Sequence, residues 1–224
     1  MTATHSIQVI TIDGPAGAGK STVAKRLAQK LNLSYLDTGA MYRALTLKAI
    51  QLNVNLEDEE AIVAMARETN IDLENHDSCS RVMLDGKDVS EDIRTLEVTN
   101  KTFYIAQKPS VRAIMVEWQR IIGSKKGIVV EGRDVGTVVF PKANKKFYLD
   151  ANIDERSRRR AEELREKGKD VDEQQLTAEI IERDHKDLTR SVGPLKKADD
   201  AVCINTTHLS IDGVIEEMMK YIQQ

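Results

Sequence analysis

Gly14-Pro15-Ala16-Gly17-Ala18-Gly19-Lys20-Ser21 fits the spacing G-x-x-x-x-G-K-[ST]. Glycine at these positions lets backbone N–H groups converge on phosphate oxygens with no side chain in the way. A helix opening at Lys20 adds the positive end of its dipole to the same point. Lys20 then reaches the outer phosphates, and the Ser21 hydroxyl offers a ligand to Mg²⁺. The pattern follows a β-branched run and opens an amphipathic one, which is the context the mechanism requires. This loop is expected to bind a nucleotide.

Three further charged groups fall where α/β proteins hold ligands, beyond the carboxyl ends of strands. Asp37-Thr38-Gly39-Ala40-Met41-Tyr42-Arg43 places Arg43 one helical turn after Gly39, aimed back at that edge; the plain alternative is a surface arginine. In Glu131-Gly132-Arg133-Asp134-Val135-Gly136-Thr137, Glu131 is placed to orient Mg²⁺ or its water, and Arg133 offers a planar fork to a phosphate. Here the alternative is a charged turn. Asp172 and Gln175 form a capping box, after which Leu176, Ile180, Arg183, Asp187 and Arg190 share one helix face. That face turns from apolar to charged along its length, so its charges either pair internally or meet a polar ligand.

Nucleotide phosphates plus several more arginines point to an acceptor that is itself a phosphate. A phosphate oxygen is a competent nucleophile at neutral pH, so the demand is charge neutralisation and alignment, not a general base. No Ser-His-Asp or Cys-His arrangement competes, and His5, His76, His185 and His208 are scattered and read as surface residues. A GTPase reading fails because none of the 12 glycines has Asp three residues earlier, and neither Asn-Lys pair runs on to the Asp of a guanine-reading motif.

The elements that must position these residues alternate. Short apolar runs at Ile7–Ile12, Ser34–Leu36, Gly127–Val130, Phe147–Leu149 and Ala201–Ile204 predict parallel strands, and helical patterns at Lys20–Leu31, Ala40–Leu52 and Pro109–Ile122 lie between them. Val111, Met115, Trp118 and Ile122 make the last of these core-facing. Near Asn70–Ser90 the period changes to two, and Asp85-Gly86 signals a hairpin, so a small antiparallel element is inserted, with a helix near Asp58–Thr69 before it. Ile153–Gly168 reads as a charged helix with pairs Arg158–Glu162 and Arg159–Glu163, ended by Gly168.

The chain has 224 residues, 41% hydrophobic, 31% charged and 4% aromatic, with formal net charge −3. That length supports one or two domains with a sizeable core. The acidic balance and few aromatics argue against nucleic-acid binding. No run spans a bilayer, and Met1–Ser6 lacks the regions of a secretory signal. Cys79 and Cys203, with no Cys/His cluster, read as reduced thiols in a cytoplasmic protein.

GPAGAGKST, LDTGAMYR (Leu36–Arg43), EGRDVGTVVFP (Glu131–Pro141), the RSRRR run and ERDHKDLTR (Glu182–Arg190) together resemble the bacterial cytidylate kinases, from Ile7 to about Tyr221. The resemblance implies a P-loop NTPase three-layer α/β sandwich: a five-stranded parallel sheet, an antiparallel monophosphate-binding insert and a helical lid. The corresponding segments are core at 1–56, 108–152 and 171–224, insert at 57–107 and lid at 153–170. It implies γ-phosphoryl transfer from ATP to CMP or dCMP with Mg²⁺, in a cytoplasmic monomer without nucleic-acid or membrane partners. Other P-loop kinases, of UMP/CMP, adenylate or shikimate type, are the near alternatives, and a non-catalytic ATP-binding module is the distant one.

Carried over residue by residue, the donor site comprises Gly14 to Ser21 with Thr22, and Ser21 and Glu131 serve the metal, Glu131 through water. Arg43 and Arg133 hold the acceptor phosphate, in a site that includes Thr38. Arg112, Asp134 and Arg190 read the cytosine or its phosphate, and Arg183 with Asp187 contacts the sugar region. Arg156 and Arg160 close on the ATP phosphates, with Arg159 as the alternative in another register, and closure covers Arg156 and Arg160 only when ATP is present. Lys20, Arg133, Arg156, Arg160 and Arg183 form the catalytic set. Glu131 departs from an Asp elsewhere in the family, changing reach but not sign. Phe103, near a position expected to be small and polar, is given no role.

Overall fold

The computed structural model describes residues 8–76, 79–166 and 168–223, with the side chains of residues 75, 76, 79 and 80 left aside. His5 and the side chains of His76 and Cys79 therefore lie outside the described residues; His185, His208 and Cys203 are exposed.

The chain begins with β1 (Val9–Asp13), whose buried apolar run leads straight into the glycine-rich loop and α1 (Lys20–Leu31). β2 (Ser34–Asp37) and α2 (Thr38–Gln51) follow. α2 starts two residues before the expected Ala40, because the Asp37 carboxylate accepts the Ala40 N–H at 2.8 Å and caps the turn containing Gly39.

Next comes the insert: α3 (Glu59–Arg67), β3 (Ile71–His76), β4 (Cys79–Leu84), β5 (Lys87–Asp88) and α4 (Leu96–Ala106). Asp85 and Gly86, with φ of 50° and 81°, make the expected tight turn, joining β4 to β5. α4 is not evident from the sequence, since Leu96 and Tyr104 on it are exposed and blur its apolar stripe.

The chain returns through α5 (Pro109–Gly123), β6 (Ile128–Gly132), β7 (Lys145–Asp150), α6 (Ile153–Glu166), α7 (Glu173–Thr189), β8 (Val202–Asn205) and α8 (Ile211–Ile222). β1, β2, β6, β7 and β8 form a parallel sheet in the order β2–β6–β1–β7–β8, and β3–β4–β5 form a separate antiparallel one. The order reverses beside β1, so the loops after β1, β2 and β6 open into one crevice. The register aligns Asp13 with Gly132, and Asp37 with Glu131, placing four functional positions at one edge.

β6 extends past the expected Val130 and includes Glu131. A buried carboxylate can remain in a strand here because the Tyr35 hydroxyl donates to its Oε1 at 2.5 Å.

One apolar cluster joins α2, α5 and β6 to Ile62, Ile71, Val82 and Ile105 of the insert, and a second lies under α1 and α8. A third, small cluster of Ala161, Leu176 and Ile180 fastens α6 to α7. On α6 the Arg158–Glu162 pair forms, but Arg159 turns back to Glu155 instead of pairing with Glu163, and Arg160 pairs with Glu163. Gly168, at φ 72°, follows the end of α6 as expected.

Candidate active site

In the glycine loop, Gly14 adopts φ 148°, and a Cβ there would lie 2.0 Å from the Leu149 carbonyl oxygen, so only glycine fits. Lys20 is buried and donates to the Pro15 carbonyl at 2.6 Å. Burial, and then the Arg133 charge, brings its pKa from 10.5 down to about 7. A folded value below the unfolded one means the empty protein binds fewer protons than the unfolded chain between those pH values, so this group favours folding more as pH rises through that window. A polyphosphate would reverse the shift. Nucleotide binding at pH 7.5–8 is therefore expected to take up a fraction of a proton, measured by calorimetry in buffers of different ionisation enthalpy; Lys20→Met should abolish the uptake.

Arg43, Arg133 and Arg183 come together. Arg43 lies 3.0 Å from Asp37, whose carboxyl stays below its usual value because Arg43 and the Ala40 N–H outweigh burial. Arg133 gives its Nε to Asp187 at 2.8 Å, and its Nη1 touches the Gly132 carbonyl at 3.3 Å. Arg183 is exposed and, among the described residues, has no hydrogen bond or ion pair. The protein mass around it, then Arg133, and further Arg43 and Arg160, pull it down to about 10, so it stays charged at neutral pH. It lies among these cations and beside Asp187.

Behind them is a buried polar cluster. Asp134 is buried and accepts from Arg112 Nη2 and, at 3.4 Å, from Arg190 Nη2. Arg190 also donates its Nε to the Gly193 carbonyl at 2.6 Å. Gly193, at φ 57°, has no room for a Cβ beside Arg112 and Asp134. The Arg112 guanidinium lies 5.5 Å from the Tyr42 ring centre, and Arg112 Nε and the Tyr42 hydroxyl are buried without a hydrogen-bond partner. Unmet polar groups beside an acid–base pair suit a hydrogen-bonding heterocycle.

Glu131, Ser21 and Asp37 make a hard-oxygen corner. Glu131 is raised by burial and by the like charge of Asp37, against the lowering influence of Lys20 and the Ser21 hydroxyl. Thr38 Oγ1 donates to the Glu131 carbonyl at 2.7 Å. One hydroxyl and two carboxylates fit Mg²⁺, which keeps several waters and draws other ligands from phosphates. Among the described residues there is no group of three or more His, Cys, Asp or Glu able to hold a metal.

Arg156 is only 9% exposed, and donates to the carbonyls of Ala151 and Ala16, each at 3.0 Å, and to Asp184. Asp184 in turn accepts the Ala16 N–H at 3.1 Å. Gly17 lets α6 dock this closely: a Cβ there would be 3.0 Å from that of Arg156. Arg156 thus braces the loop from below. Arg160 remains partly exposed, while Arg159 donates to Thr206 and lies 3.7 Å from the position of a Gly19 Cβ.

Sequence reasoning missed Asp13, Asp184, Tyr35 and Gly193; each acts on a partner far along the chain, so no local pattern marks it. Phe103, on α4, has its ring centre 5.8 Å from Lys186 Nζ on α7.

A parallel sheet with a phosphate loop, facing a second cluster of cations and a buried acid–base cluster, defines a P-loop kinase of small phosphorylated acceptors. The cytidylate kinase family model matches residues 10–224. Relatives named cytidylate kinase include those of Desulforamulus reducens, 51% identical over 96% of each chain, and Caldanaerobacter subterraneus subsp. tengcongensis, 49% identical over 96% of this chain and 94% of that one. A crystal structure of an uncharacterized protein from Eubacterium ventriosum shares the fold, with TM-score 0.52 and 14% identity, over 97% of this chain and 99% of that one. The chain belongs to the cytidylate kinase family.

Proposed function

We propose that this enzyme transfers the γ-phosphoryl group of ATP to CMP or dCMP, giving ADP and CDP or dCDP. The observation that carries the reading is Arg183: an unpaired guanidinium in a crevice already holding Arg43, Arg133 and Lys20 calls for an anion. Gly14–Thr22 hold the donor phosphates, and Arg43, Arg133 and Arg183, with Thr38 beside them, hold the acceptor phosphate in line. Asp134 accepts the cytosine N4 amino group, and Arg112 and Arg190 serve its O2 and N3. Asp187 keeps Arg133 turned toward the acceptor and faces the sugar. Ser21 and, through water, Glu131 hold Mg²⁺, which when bound neutralises charge on the donor phosphates. Arg160, with Arg159, reaches the donor as the lid over 153–170 closes and excludes water. The insert, 57–107, closes from the other side.

The protein acts as a cytoplasmic monomer on small molecules, without nucleic-acid or membrane partners; none of the described helices is long and apolar enough to cross a membrane. An acceptor panel of CMP, dCMP, UMP, AMP and shikimate with ATP, scored by ADP production, tests the reading. CMP and dCMP are expected to lead; preference for AMP or shikimate overturns the specificity, and no turnover with any acceptor favours a non-catalytic module.

A further inference from the structure

Asp13 is the last residue of β1 and the one before Gly14. Its backbone is held by the sheet, in register with Gly132 on β6 and Tyr148 on β7. Its side chain does something else: Oδ1 accepts the Val135 N–H at 2.8 Å and Oδ2 the Gly136 N–H at 2.7 Å, in a site where the residue is 3% exposed. Those amides open a single π-helical turn, Val135–Val139, directly after Arg133 and Asp134. A turn of that kind is rare and needs outside support. Gly136 fits because a Cβ would stand 3.0 Å from Thr11 Oγ1 and 3.2 Å from Asp13 Oδ2.

We infer that Asp13 is a positioning residue that registers the acceptor-reading segment against the donor loop. One carboxylate clamps the first two amides of the turn, so Arg133 and Asp134 inherit their place from the strand that carries the glycine loop. The inference rests on the acceptor roles proposed above for those two residues. It separates side chain from backbone: the donor loop follows β1 whether or not the carboxylate is present, while the turn after Asp134 leaves the sheet at Gly132 and takes its N-terminal support from that carboxylate, with Arg120 holding the Val138 and Val139 carbonyls at its other end.

The test compares wild type with Asp13→Asn and Asp13→Ala, using kcat/KM for CMP and UMP at saturating ATP and the Kd of ADP by calorimetry. Asn keeps one acceptor oxygen but presents an N–H to the second amide. Loss of one or two such bonds is expected to lower kcat/KM for CMP by about 10- to 100-fold and to shrink the CMP-to-UMP ratio about 10-fold. ADP affinity should stay within about threefold. Gly136→Ala presses on the same contact from the other side and should give the same acceptor-selective loss even if Asp13→Ala does not fold. Simple destabilisation lowers the active fraction and leaves the CMP-to-UMP ratio of the folded enzyme unchanged. An unchanged ratio in Asp13→Asn and Gly136→Ala, or ADP affinity lost in parallel with CMP, overturns the inference. A wild-type enzyme with no preference for CMP would instead overturn the function reading itself.

Discussion

Arg133→Ala should lower kcat/KM for CMP by about 10³-fold while ATP affinity moves less than about threefold, because in phosphoryl transfer the protein supplies alignment and charge, with little covalent work to share out. Asp187 holds the Nε edge of Arg133, so the guanidinium is directional before any substrate arrives. Its removal leaves Asp187 with Arg190, 3.7 Å away, as a weaker neighbour. The same deletion relieves Lys20, whose pKa Arg133 helps to depress, so the donor grip gains charge as the acceptor grip loses it. Arg133→Lys keeps the charge without the fork and should fall between wild type and Ala. Steady-state kinetics in both substrates decide the matter; parallel losses for ATP and CMP would contradict it.

The second large effect concerns stability. Asp184→Ala strands the buried Arg156 guanidinium and frees the Ala16 N–H at one stroke. Breaking one side of a buried ion pair costs about 3–5 kcal/mol. For a chain of this size that lowers Tm by roughly 6–20 °C. The double variant Asp184→Leu with Arg156→Met removes both charges and should recover most of the loss, since an apolar pair of similar volume avoids the desolvation cost. Thermal unfolding of Asp184→Leu, Arg156→Met and the double variant closes the cycle. Equal melting of Asp184→Ala and wild type would show the pair to be idle.

Much of this was legible in the sequence for a physical reason. A loop that presents its own N–H groups needs glycine at set positions, so the donor site announces itself. The alternation of apolar runs with helical patterns implied the parallel sheet, and an Asp-Gly pair between period-two runs implied the hairpin. What was not legible depends on distant partners. Arg156, Arg159 and Arg160 lie within two turns of one helix, and only the docking of α6 against Gly17 decides which of them is buried. Asp13 and Asp184 act across 122 and 168 positions of chain. The π-helical turn Val135–Val139 has no local signature, because its support comes from Asp13 on the neighbouring strand and Arg120 on α5.

α7 runs through 17 residues, about 26 Å at the usual helical rise. Its early apolar residues, Leu176 and Ile180, belong to the seam with α6, whereas Arg183 and Asp187 lie six and two positions from its end. Between them, Asp184 grips the glycine loop. A rotation of this rod cannot shift one extremity alone. A proline near its midpoint would uncouple the two ends, leaving each binding surface intact in composition but no longer moving in concert.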